Sequence, residues 1–127
     1  MSLYSHYSNY SGPWLWASFT PKEISCRHCG EIFLDPKSMD ALQRLRVNWG
    51  RPIVLTSAHR CVTHNKNVGG AKNSQHLNVA FDCACPAENQ DDFVKAALDV
   101  GFRGVGKYPS RGFVHLDMGE KRTWIGK

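Results

Sequence analysis

The sequence predicts an α+β fold, a small antiparallel sheet packed by helices on one side. Three observations carry that expectation. Apolar residues recur three to four apart over 36–49 and again over 91–100, the period of a helix with one buried face. Short apolar, β-branched or alternating runs at 52–57 and 79–83 read as buried strands. Near the end of the chain, the runs 104–108 and 113–118 flank Pro109-Ser110-Arg111-Gly112, a sequence suited to a hairpin turn.

Each element has its own local signals. Residues 1–18 are rich in Ser, Tyr and Trp without a clear period, which predicts an extended arm anchored by Trp14 and Trp16. Thr20-Pro21-Lys22-Glu23 reads as a capped helical turn, with Thr20 as cap, Pro21 first and Glu23 third. Cys26-x-x-Cys29 follows, and Gly30 closes its turn. Asp35-Pro36 opens the first long helix, Met39, Leu42, Leu45 and Trp49 form its apolar face, and Gly50 ends it. Residues 58–75 contain Gly69-Gly70 and many polar side chains, so a long loop is expected there. The second helix begins with Asp91 and Asp92, faces inward through Phe93, Ala96, Ala97 and Val100, and stops at Gly101.

At 127 residues the chain fits one domain, read as an arm at 1–18 and a body at 19–127. Hydrophobic residues make up 42% and charged residues 21%, an ordinary globular balance, and no apolar run approaches the ~20 residues of a membrane span. No charged and then apolar leader is present, so the expectation is synthesis in the cytoplasm without a signal peptide. The formal charge of +5 favours a polyanionic partner without choosing among nucleic acid, anionic lipid and cell envelope. Five cysteines without a signal favour reduced thiols or metal ligands over a disulfide framework.

Three polar residues lie in or beside runs that otherwise read as buried: His76, Asp82 and His115. Burying a carboxylate and two imidazoles is costly unless they are paired or bound to a metal. A His/Asp/His set leaves one tetrahedral position open on Zn²⁺, as hydrolytic sites require. The open position takes a water whose pKa falls to about 7.

The ordered blocks go further. Ser57-Ala58-His59-Arg60, His64-Asn65, Val68-Gly69-Gly70-Ala71, Ser74-Gln75-His76 and Ala80-Phe81-Asp82 resemble the pattern of peptidase family M15. Gly104-Val105-Gly106-Lys107-Tyr108-Pro109, Phe113-Val114-His115-Leu116-Asp117 and Arg122-Thr123-Trp124 match the same pattern, so the resemblance runs from about Phe19 to Trp124. It is strongest to small phage and bacterial members, relatives of zinc D-Ala-D-Ala carboxypeptidases and peptidoglycan endopeptidases. The resemblance implies a hedgehog/DD-peptidase-like fold and a catalytic zinc held by His76, Asp82 and His115. It also implies that Arg60 faces the substrate carboxylate or the developing oxyanion, for which a guanidinium is suited; the plainer alternative is a surface salt bridge.

Two features depart from the family pattern. Asp82 stands six positions beyond His76, one fewer than usual, and the intervening glycine is missing. Strand side chains alternate faces, so Asp82 keeps its orientation if the shortening falls in a turn at Leu77-Asn78. Relatives also place a general base just before the last zinc histidine, where residues 109–114 offer only Arg111. Asp117, on the same strand face as His115, is the nearest carboxylate, acting either as base or as a group that orients the histidine.

Cys26-x-x-Cys29 with Cys61-x-x-His64 has the ligands and spacing of a Cys₃His structural zinc site, and a disulfide from Cys61 to Cys26 or Cys29 competes with it. Cys83 and Cys85 share a strand face and read as packing residues.

The leading expectation is therefore a zinc metallopeptidase acting on the peptidoglycan stem peptide, as a phage endolysin or virion-associated lysin. It would work on the cell wall, in the periplasm or outside the cell, as a monomer, without nucleic acid or membrane insertion. One alternative is a zinc-containing nucleic-acid-binding module or small nuclease, suggested by C-x-x-C, His64-Asn65 and the charge. Another is an inactive wall-binding member of the same fold.

Overall fold

The computed structural model of the protein describes residues 2–70 and 79–127. Its strands are β1 (Ser2–Tyr4), β2 (Ile32–Leu34), β3 (Leu55–Ser57), β4 (Ala80–Ala84), β5 (Gly104–Tyr108), β6 (Phe113–Asp117) and β7 (Arg122–Ile125). Its α-helices are α1 (Pro21–Ile24), α2 (Pro36–Trp49), α3 (Val62–Asn67) and α4 (Gln90–Asp99). The mixture is α+β, as expected.

Both long helices follow their apolar stripes. Met39, Ala41, Leu42 and Leu45 of α2 are buried, and Trp49 meets Phe93 of α4 edge-on with ring centroids 5.1 Å apart. Thr20 and Glu23 form the expected capping box at α1. The helix α3 corrects the expectation of an unbroken loop. Val-Thr-His-Asn-Lys-Asn has no apolar period; instead Cys61 caps it, its Sγ accepting from the His64 N–H, and Asn65 is buried.

The main sheet runs β3-β4-β6-β5-β7, and β1 pairs antiparallel with β2 beside it. One pairing corrects the all-antiparallel expectation: β7 lies parallel to β5. Both edges of β6 are occupied by β4 and β5, so the chain leaving β6 adds at the outer edge of β5 and runs in its direction. The N-terminal stretch supplies β1 and a buried Trp16, whose Nε1 donates to Asp40 Oδ1 at 2.8 Å.

Strand alternation divides the sheet into two chemistries. Phe81, Cys83, Val105, Val114 and Leu116 are buried in the same core as the apolar faces of α2 and α4. Cys83 and Cys85 are both buried, and burial pushes the Cys83 thiol well up, which keeps it inert. The intervening residues project to the opposite face. Among the described residues, no helix is long and apolar enough to cross a membrane.

Candidate active site

Register places the polar residues of the second face in rows. Asp82, His115, Gly106 and Trp124 occupy one row across β4, β6, β5 and β7. Ala80, Asp117, Gly104 and Arg122 occupy the next. The glycines of β5 let the flanking strands meet over it. A Cβ on Gly106 would overlap the Trp124 indole, and one on Gly104 would overlap the Asp117 carboxylate and the Arg122 guanidinium. With hydrogen only at both positions, Trp124 comes within 5.4 Å of the His115 ring and Arg122 reaches Asp117.

His115 stands between two carboxylates: its Nδ1 is 3.0 Å from Asp82 Oδ1, and its Nε2 is 2.6 Å from Asp117 Oδ2. Burial pulls the His115 pKa down, but the bonds to Asp117 and Asp82 outweigh it, and the net shift is upward. Asp117 is 1% exposed. Arg122 Nη2 donates to its Oδ2 at 2.8 Å, while Arg122 Nη1 and the Gly119 N–H donate to its Oδ1 at 3.1 and 2.9 Å. Burial pushes the Asp117 carboxyl up, yet the His115, Arg122 and Gly119 hydrogen bonds bring it down to about 2.

Asp82 opens onto a cleft of roughly 370 Å³, also lined by Thr56, Ser57, Arg60, His64 and Arg111. A β-bulge between Leu55 and Ser57 turns the edge of β3 beside Asp82, as bulges near functional sites often do. Burial lowers the Arg60 pKa, and the Asp82 and Cys26 charges oppose that shift. His64 is also lowered, first by burial and then by His28, Arg60 and Arg27, which favours its neutral form.

The sequence-predicted residues thus separate clearly. Asp82, His115 and Asp117 form one hydrogen-bonded group, and Arg60 lines the same cleft as Asp82. His76 and the Leu77-Asn78 turn lie outside the described residues. The Arg122 bridge, the close approach over Gly104 and Gly106, and the cleft position of His64 were not foreseen. The Gly-x-Gly inside a strand was the available signal, because strand glycines mark close approach of neighbouring groups.

Comparison with known proteins adds an independent line. The peptidoglycan L,D-endopeptidase MepK of Escherichia coli (strain K12) is 35% identical over 99 residues, covering 72% of this chain and 54% of that protein. The zinc D-Ala-D-Ala carboxypeptidase of Streptomyces albus G is 34% identical over 92 residues, covering 68% of this chain and 36% of that one. The chain thus spans about half the length, or less, of the curated relatives it matches. A family model described as Peptidase M15 matches residues 17–117, which include Arg60, His76, Asp82, His115 and Asp117. By that match, and by its likeness to both enzymes, the chain belongs to the peptidase M15 family.

Proposed function

We propose that this chain is a zinc-dependent peptidase that hydrolyses peptide bonds of bacterial peptidoglycan, with His76, Asp82 and His115 as metal ligands. The observation that carries the reading is the pairing of Asp82 with His115 at the cleft, backed by Asp117 and Arg122. The donor set suits zinc. Asp82 Oδ1 and His115 Nδ1 lie 3.0 Å apart, against an edge of about 3.3 Å between N/O ligands on tetrahedral zinc. The relatives' names, a zinc carboxypeptidase and a peptidoglycan endopeptidase, support the metal and the substrate class.

The chemistry that zinc supplies in such a site is Lewis acidity, which lowers the pKa of water to about 7 and polarises a carbonyl. The chain's own residues do the rest. Asp117 and Arg122 fix the His115 ring so that Nδ1 faces Asp82. Arg60 stabilises negative charge developing on the scissile carbonyl oxygen or grips a substrate carboxylate. His64, kept neutral beside Arg60, accepts the proton released as the nucleophile forms. Arg60 and Arg111 make the cleft cationic, which suits a carboxylate-bearing stem peptide.

Within this reading the fold is of the hedgehog/DD-peptidase type, with its polar site on one sheet face and its helices on the other. The chain acts as a monomeric lysin of phage type, and its +5 charge holds it to an anionic wall. Digestion of purified peptidoglycan with and without chelator, with mass analysis of the fragments, tests the reading and names the bond cut. Chelator-sensitive release of peptide fragments is expected, and Arg60→Ala should slow it by about 10²–10³. Zinc-loaded protein that releases no fragment from any peptidoglycan type would overturn the reading in favour of a wall-binding role.

A further inference from the structure

A second cluster of metal-ligating side chains lies apart from the Asp82–His115 pair. Cys26, Cys29 and Cys61 bring their Sγ atoms within 4.8 Å of one another, although Cys61 is 35 positions from Cys26. All three carry free thiols. Thiolates on tetrahedral zinc stand about 3.8 Å apart, given a Zn–S bond near 2.3 Å, so small side-chain rotations complete the triangle. His28 Nδ1 lies 3.7 Å from Cys61 Sγ, and the corresponding S···N edge on zinc is about 3.6 Å.

The backbone around the cluster is built for thiolate sulfur. The His28 and Cys61 N–H groups each donate to Cys26 Sγ at 3.4 Å, and the His64 N–H donates to Cys61 Sγ at 3.3 Å. Gly30 closes the Cys26-x-x-Cys29 turn at φ +78°, its N–H bonded to the Cys26 carbonyl at 2.9 Å. A Cβ there would also run into the His6 ring.

We infer that Cys26, Cys29 and Cys61 form a structural zinc site, closed by His28, that ties the 26–29 turn to the segment carrying Arg60. The fourth ligand differs from the His64 expected from C-x-x-H spacing. The His64 ring stacks behind His28 at 6.1 Å between centroids and lines the cleft instead. Cys61 directly follows Arg60, so a metal at Cys61 limits how far the Arg60 backbone can move. Only that last consequence rests on the peptidase reading; the site itself does not.

Cobalt substitution of the whole chain, reduced and reconstituted, tests the site without reference to activity. The set His76, Asp82 and His115 contains no sulfur, so thiolate-to-cobalt charge-transfer absorption reports the cysteine site alone. The expected result is that absorption in the wild type, its persistence in His115→Ala, and its loss in Cys29→Ser, a change at an exposed position that spares the core. Zinc per chain should fall by one in Cys29→Ser. His28→Ala should weaken metal retention while His64→Ala keeps the charge-transfer spectrum. No charge-transfer absorption in reduced wild type, or a disulfide between Cys61 and Cys26 or Cys29 in protein alkylated on isolation, would overturn the site. Loss of the spectrum in His64→Ala with retention in His28→Ala would overturn the assignment of the fourth ligand. A failure of wall digestion with the charge-transfer band intact would count against the peptidase reading only.

Discussion

Asp117 Oδ2 lies 2.6 Å from His115 Nε2, two positions along the same strand face, and this carboxylate has no acceptor site left to offer. Its two oxygens receive His115 Nε2, both Arg122 Nη groups and the Gly119 N–H, which occupies all of the about four lone-pair sites of a carboxylate. A group so held, buried and with its pKa brought down to about 2, takes protons weakly. The geometry suits an orienting partner of a metal ligand better than a general base.

Asp117→Asn separates the two roles. If Asp117 orients His115, zinc affinity falls by about 10–100-fold and added zinc restores most of the hydrolysis. Full zinc occupancy with most of the rate lost, and no rescue by zinc, would make Asp117 the base. Metal titration alongside rate measurement gives the answer in one series.

The same group sets an acid limit on the metal-free protein. The Asp117 carboxyl is depressed from 3.8 to about 2, so its contribution is present above pH 3.8 and is lost as the pH falls through 2. That contribution is about 2 kcal/mol. His115 is raised above 6.5, so its contribution is complete below that value and is lost as the pH rises through the folded pKa. Metal-free protein should therefore be most stable between roughly pH 4 and 6.5, as read by denaturant melts across pH. In Asp117→Asn the loss of stability between pH 4 and 2 should largely disappear.

Much of this arrangement was legible in the sequence because it rests on local signals. The stripe of Met39, Leu42 and Leu45 and the Thr20–Glu23 capping box each follow from spacing within one or two turns. The hairpin at 109–112 does too, with the Arg111 and Gly112 N–H groups both bonded to the Tyr108 carbonyl. What stayed hidden depends on pairing between distant segments. Arg122-Thr123-Trp124 contains the strand formers Thr and Trp but is too short to show a period, and it becomes a strand by lying against β5. The helix α3 is held by a cysteine cap that no propensity scale rewards, and β1 exists only through its partner Ile32–Leu34. Within the site, Asp82 and His115 were identifiable as polar residues out of place in strands, and Asp117 as the nearest carboxylate on the same strand face as His115. Arg122 was not, because its role depends on glycine at position 104 of the intervening strand.

Gly106→Ala probes that close approach. The added methyl overlaps the Trp124 indole, whose Nε1 donates to the Tyr108 hydroxyl at 3.0 Å and whose ring tilts against His115. Displacing the indole should cost on the order of 1–3 kcal/mol of stability and alter the near-ultraviolet circular dichroism. An unchanged melting temperature and spectrum would mean that Trp124 does not pack over Gly106 in solution.

The remaining question is which group accepts the proton during hydrolysis. In the proposed reading Asp82 is a metal ligand, which leaves His64 as the group able to take a proton near neutrality among the described residues lining the cleft. Burial and the neighbouring His28, Arg60 and Arg27 hold its pKa below the ordinary 6.5, so the imidazole is mostly neutral at pH 7. A base must be unprotonated to act, so kcat/KM should rise with pH through this lowered value and then level off. His64→Gln keeps the size and a hydrogen-bonding end but cannot titrate. It should reduce the plateau by about 10²–10⁴ and remove that acid limb, with zinc content unchanged. A purely structural role for His64 would lower the rate uniformly and leave the limb in place. That outcome would transfer the base role to a group outside the described lining of the cleft.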